Sequence, residues 1–216
     1  MNKIYIFSGL GVDRRVFDNI DFGDLNVEFI DWIIPLTNEA IENYTERISR
    51  KIISENPILI GLSFGGMVAV EISKIIKTEK IILIASAKNR FELPIFNRFS
   101  GKLKLNKLIP KAIFKKQNFI ANWLFGIESE AEKQLLKNIL KDTDPHFFAW
   151  AINEIVNWKN ETIPENLIHI HGNKDRIIPI KNVKADFVIP DGGHFMTVNR
   201  AKGIQNIIYN LIKSSR

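Results

Sequence analysis

The chain has no cysteine among its 216 residues. That excludes disulfides, a cysteine nucleophile and thiolate metal sites, and says little about compartment. It also has no apolar run approaching the roughly 20 residues needed to span a bilayer. The N-terminal Met1-Asn2-Lys3-Ile4-Tyr5-Ile6-Phe7 passes at once into a strand-like segment and lacks the long apolar region of a signal peptide, so the expectation is a cytoplasmic protein. Histidine is scarce, with four in the chain, so an imidazole base has only four possible positions. The glycine-rich Ser8-Gly9-Leu10-Gly11 lacks both a following Gly-Lys-Ser/Thr and a third glycine at dinucleotide spacing, which argues against a phosphate cradle and a bound nucleotide cofactor. No cluster with metal-ligand spacing is present, and no nucleic-acid motif accompanies the net charge of +6. No metal, cofactor or nucleic-acid partner is expected.

What is present is ordinary for one globular domain spanning residues 1–216: 45% hydrophobic and 25% charged residues, with ample length for a large core. Strand and helix patterns alternate. Strands are expected at Ile4 to Phe7, Val27 to Ile33, Pro57 to Ile60, Lys80 to Ser86, Leu167 to His171 and Ala185 to Ile189. Between them fall a short helix capped by Asp13, an amphipathic helix from Asn38, a helix over Gly66 to Ile76 and a closing helix over Ala201 to Ile212. This rhythm predicts an α/β fold, a six-stranded, mainly parallel sheet with helices on both faces. Residues 88–166 interrupt it with helical patterns alone, around Leu105 to Phe114, Asn118 to Phe125, Glu130 to Leu140 and Pro145 to Trp158, and read as an all-helical insertion.

Gly61-Leu62-Ser63-Phe64-Gly65 carries the chemistry. It lies between the apolar strand pattern ending at Ile60 and a helical pattern, the context of a nucleophile elbow. There the turn is so sharp that side chains two residues either side of the serine would clash. A serine needs a base, and the base needs an orienting acid. His194, in the turn Asp191-Gly192-Gly193-His194 after the last strand pattern, is the preferred base. His169 and His171 alternate on a strand and share one face. His146 follows Pro145 at a helix start, where a surface capping role suits it. For the acid, Asp175 stands just past the end of a strand in a glycine turn. Asp191 is too near His194, and Asp186 is expected within a strand. Two backbone N–H groups, of Leu10 and Phe64, are candidates for an oxyanion hole.

On these residues the chain resembles the α/β-hydrolase superfamily over essentially its whole length. The matching stretches are Ser8-Gly9-Leu10-Gly11, Gly61-Leu62-Ser63-Phe64-Gly65-Gly66, His171-Gly172-Asn173-Lys174-Asp175 through Pro179, and Gly192-Gly193-His194-Phe195. The resemblance implies an α/β-hydrolase fold, a catalytic triad of Ser63, Asp175 and His194, and a helical cap at 88–166. It implies a serine esterase or thioesterase acting on a small-molecule acyl substrate. A non-catalytic ligand-binding or scaffolding protein on the same fold is the alternative. Two features depart from the family pattern: Ser8-Gly9 stands where His-Gly is usual, and the two leading antiparallel strands of larger members are absent.

Charge is uneven. Between Glu92 and Glu128 there is no acidic residue, while Arg98, Lys102, Lys104, Lys107, Lys111, Lys115 and Lys116 are interleaved with Phe96, Phe99, Leu103, Leu105, Leu108, Ile109, Ile113 and Phe114. Such a segment suits an anionic substrate or peripheral contact with an anionic membrane. It equally suits a solvated lysine face on helices packed by their apolar side.

Overall fold

The alternation of isoleucine, leucine and aromatic residues in short runs builds strands buried on both faces. The structure, a computed structural model, describes residues 2–94 and 118–213. Six strands form one sheet: β1 (Ile4–Phe7), β2 (Val27–Phe29), β3 (Ile58–Leu62), β4 (Lys80–Ile84), β5 (Leu167–Gly172) and β6 (Phe187–Ile189). Their order is β2-β1-β3-β4-β5-β6, and every neighbouring pair is parallel. Parallel pairing demands crossovers, and the helices that supply them cover the sheet on both sides.

Period-two alternation divides the core in two. Ile4, Ile6, Ile58, Ile60, Ile82, Ile84, Ile170 and Ile189 point to one face, against Val16 and Phe17 of a short 3-10 helix and Ile204, Ile208 and Ile212 of the closing helix. Tyr5, Phe7, Leu59, Ile81 and Leu83 point to the other, against α1 (Ile41–Ser49) and α2 (Phe64–Ile72). Each such side chain contributes roughly 1.5–3 kcal/mol when fully buried.

Between β4 and β5, the described residues hold only helices: α3 (Phe119–Phe125), α4 (Glu130–Asp142) and α5 (Pro145–Asn157). Each starts on a polar cap. Asn118, Ser129 and Asp144 accept from Ala121, Glu132, and both His146 and Phe147 backbone N–H groups respectively. α4 sends Leu136, Ile139 and Leu140 into the first core layer, and α5 sends Phe147 and Ala151 into the second. The chain closes with α6 (Met196–Asn199) and α7 (Ala201–Lys213).

Several expectations need adjusting. The outer strands are only three residues each, because an edge strand is held from one side and its flanks peel away. Thus Ile30 to Ile33 and Ala185 lie outside strands, and Asp186 precedes β6 rather than lying in it. The elbow helix begins at Phe64 and ends at Ile72, and the amphipathic helix starts at Ile41, after Ala40. His146 caps nothing, since Asp144 takes that role. The basic residues Arg98, Lys102, Lys104, Lys107, Lys111, Lys115 and Lys116, and the helix expected over Leu105 to Phe114, lie outside the described residues.

At the β3–α2 turn, backbone packs directly against backbone. A Cβ on Gly65 would sit 2.3 Å from the Ser8 carbonyl oxygen and 2.4 Å from that of Phe7, and one on Gly61 would sit 2.4 Å from Gly66 Cα. These are backbone atoms that cannot swing aside. Gly203, by contrast, has nothing nearer than 3.8 Å. Gly65→Ala should therefore cost on the order of 2–4 kcal/mol in a urea titration. Gly203→Ala should gain up to about 1 kcal/mol through helix propensity. Equal effects at the two positions would refute this packing.

Candidate active site

Ser63 lies between β3 and α2 at φ 50, ψ −120, a conformation that an L-residue holds only under constraint. Both of its backbone groups are tied to β4 and its continuation. Ser63 N–H donates to the Ile84 carbonyl at 2.9 Å, and the buried Ser86 hydroxyl donates to the Ser63 carbonyl at 2.6 Å. The geometry lifts the Ser63 hydroxyl off the sheet toward two loops that follow β5 and β6.

Those loops bring the expected base and acid to it. Ser63 Oγ is 2.8 Å from His194 Nε2, and His194 Nδ1 is 2.8 Å from Asp175 Oδ2. Asp175 is buried and its other oxygen, Oδ1, accepts from Ile177 N–H at 2.8 Å and Ile178 N–H at 2.9 Å. Burial alone would raise the Asp175 carboxyl. His194, by charge and hydrogen bond, together with His171 and the Ile178 amide, outweighs it and holds the group below the usual carboxylate range. The two loops are laced together, with Lys174 N–H donating to the Gly192 carbonyl and Asn173 N–H to that of Ile189. From the helical insertion, the Phe125 carbonyl accepts from Phe195 N–H at 2.9 Å, and the Phe125 ring meets the His194 ring edge-on at 5.8 Å.

The loop after β1 passes close by, since a Cβ on Gly9 would lie 3.2 Å from Ser63 Cβ. Phe64 opens α2, so its N–H has no intrahelical partner. Among the described residues, neither the Leu10 nor the Phe64 N–H has a hydrogen-bond acceptor. The Phe64 donor follows Ser63 in the chain, and the Leu10 donor follows Gly9. No group of three or more potential metal ligands occurs among the described residues.

The other acids and imidazoles go elsewhere. Asp191 is exposed and pairs with Lys174 at 2.8 Å. Asp186 accepts from His169 N–H at 2.8 Å. His146 is exposed. Sequence reasoning missed two contributors. Ser86, which grips the serine peptide, carried no signal beyond its place at a strand end. The alternation of His169 and His171 gives a shared face without its partners; both are buried, with His171 Nε2 3.6 Å from Asp175 Oδ2.

Comparison with known proteins bears on the family and the fold. A description named alpha/beta hydrolase family matches residues 4–204. A comparison with curated proteins finds no match. Among solved structures, a hydrolase from Oleispira antarctica is similar at TM-score 0.77 and 15% identity, over 99% of this chain and 91% of that one. A thermophilic esterase from Thermogutta terrifontis gives TM-score 0.72 and 15% identity over 99% and 90%. MenH from S. aureus gives TM-score 0.70 and 18% identity over 99% and 94%. At these identities, the likeness is one of fold.

Burial pushes the His169 imidazole down to about 3, with His171 and Lys88 adding to the effect. Burial lowers His171 as well, only partly offset by Asp175 and the Ile178 carbonyl. An unfolded histidine titrates near about 6.5. Below that pH the unfolded chain takes up protons that the folded chain refuses, so stability falls as pH drops from about 6.5 toward about 3. Chemical denaturation across this range should show His169→Gln with a shallower loss, by about 1.4 kcal/mol per pH unit around pH 4–6. An unchanged slope would contradict a neutral, buried His169.

Proposed function

The chain belongs to the alpha/beta hydrolase family, and on that premise we propose that it is a serine hydrolase cleaving a carboxylic ester or thioester through an acyl-enzyme on Ser63. The observation that carries this reading is the unbroken line from Ser63 Oγ to His194 Nε2 and from His194 Nδ1 to Asp175 Oδ2, each contact 2.8 Å.

In this account His194 Nδ1–H donates a hydrogen bond to the Asp175 carboxylate, leaving the lone pair on Nε2 to accept from the Ser63 hydroxyl. Oγ attacks the acyl carbon as its proton passes to Nε2. The carbonyl oxygen becomes an oxyanion, held by the Leu10 and Phe64 amides. A fixed donor of this kind is worth roughly 10²–10³ in rate. When the tetrahedral species collapses, the alcohol or thiol departs with the proton from Nε2. Water then enters, gives a proton to Nε2 and attacks the acyl carbon. The second collapse returns that proton to Ser63 Oγ and frees the carboxylic acid. Ester and thioester are preferred because this route calls for no apparatus beyond the groups named.

Residues 88–166 are taken as a cap that shapes the acyl site. In support, Phe125 of α3 touches the His194 ring, and Leu140 of α4 and Phe148 of α5 lie against Gly11. The substrate is a small acyl compound, and the basic residues between Glu92 and Glu128 suit an anionic one. No described helix is long and apolar enough to cross a membrane. A cytoplasmic site of action belongs to the same proposal.

A panel of nitrophenyl esters and coenzyme A thioesters of graded chain length tests it. Ser63→Ala should lower kcat by about 10⁴–10⁶-fold in a folded protein, and Asp175→Asn by about 10³–10⁴-fold through the wrong His194 tautomer. Ordinary turnover by the alanine variant would sink the assignment. So would a crippling Asp191→Asn beside a mild Asp175→Asn.

A further inference from the structure

Beside Asp175 lie two imidazoles that the proposed reaction does not use. His171 and His169 are both fully buried on β5, with rings edge-on at a centroid distance of 5.0 Å. His171 Nε2 is 2.7 Å from the Ile178 carbonyl oxygen and 3.6 Å from Asp175 Oδ2. His171 Nδ1 is 3.1 Å from His169 Nε2.

The protons follow from one constraint. A carbonyl oxygen only accepts, so His171 Nε2 must carry a hydrogen. If the ring is neutral, Nδ1 is then an acceptor, and His169 Nε2 must supply the hydrogen between the rings. That leaves a bare lone pair on His169 Nδ1. This atom is buried, has no hydrogen-bond partner among the described residues, and faces Glu92 Oε2 at 4.0 Å. Burial raises the Glu92 carboxyl, although the Lys88 and Lys184 amides it accepts from work the other way.

Ile178 connects this pair to the site. Its N–H holds Asp175 Oδ1, and its carbonyl is held by His171. The following residue is Pro179, which has no N–H, so the Ile178–Pro179 peptide offers only that carbonyl for anchoring. Removing the His171 donor orphans a buried carbonyl and frees the segment whose two amides aim the carboxylate.

We propose that His171, with its proton on Nε2 and its tautomer set by His169, is a positioning residue that fixes Asp175 against His194 through the Ile178 carbonyl. The inference rests on the reading of Asp175 as the acid that orients the base. Its rival puts the His169 proton on Nδ1. The inter-ring hydrogen must then come from His171 Nδ1, and His171 becomes a cation competing with His194 for the Asp175 charge. The titratable and charged groups around the pair are Asp175, His194, Glu92, Lys88 and Asp186.

Long-range ¹⁵N–¹H spectra of the wild-type protein decide between the two without any activity measurement. The expected result is both rings neutral with the proton on Nε2 between about pH 5 and 8. A doubly protonated or Nδ1-protonated His171 overturns the proposal. Variants supply the second arm. In His171→Leu, the low-field Nδ1 proton of His194 should weaken, and kcat on an ester should fall about 10²-fold with KM little changed. His171→Gln, which can present an N–H near the Nε2 place, should restore most of both. Leucine and glutamine variants that behave alike would overturn the positioning role. A wild-type protein that turned over no ester would end the hydrolase reading, while the tautomers and the His194 resonance would still decide this one.

Discussion

The arrangement depends on a single residue held in an unfavourable backbone conformation. Ser63 at φ 50 carries strain of about 1–3 kcal/mol, and it persists because its surroundings leave the turn no alternative. Its N–H and carbonyl are pinned by Ile84 and Ser86, and the glycines on either side let β1, β3 and α2 approach to backbone contact. The strain is useful because the same turn that stresses the backbone projects the hydroxyl and exposes the first amide of α2. Relaxing it would remove the geometry that sets the Ser63 hydroxyl against His194.

Around that turn, charge is handled by hydrogen bonds more than by ion pairs. Asp175 is the one buried carboxylate in the constellation, and four groups address it: two backbone amides, His194, and the edge of His171. Burying a carboxylate is costly unless its oxygens are satisfied. Here Oδ1 is fully engaged by amides, so Oδ2 is left for His194. The carboxylate cannot turn without breaking two hydrogen bonds, and that rigidity fits the role of keeping an imidazole in one tautomer. In the proposed reaction, the positive charge forms on His194 beside this carboxylate while the negative charge forms beside two amides.

Much of this was legible in the chain because the informative signals are local. The strand–Gly-x-Ser-x-Gly–helix pattern, the glycine turn before Asp175 and the Gly-Gly-His turn each report their own geometry over a few residues. The central strands were read well because burial on both faces leaves uninterrupted apolar runs. The edge strands are shorter than their patterns suggest, since Ile30, Trp32 and Ile33 are apolar for reasons of core packing and not of pairing. Asp186 likewise lies outside its expected strand, because the edge strand begins at Phe187. What no local pattern carried was the contact set between distant segments: Ser86 on the Ser63 peptide, Phe125 on His194, and His171 on Ile178. The His169-x-His171 alternation correctly placed both rings on one face, but the contacts of that face are set by the loop that returns from β5.

The central claim is that Ser63 is a nucleophile made reactive by its neighbours. A fluorophosphonate probe tests it most directly, with intact-mass measurement and peptide mapping of the adduct. The account predicts one adduct per chain, on Ser63, and none in a folded Ser63→Ala protein. An inert wild-type protein, or an adduct mapped to any other residue, would contradict it.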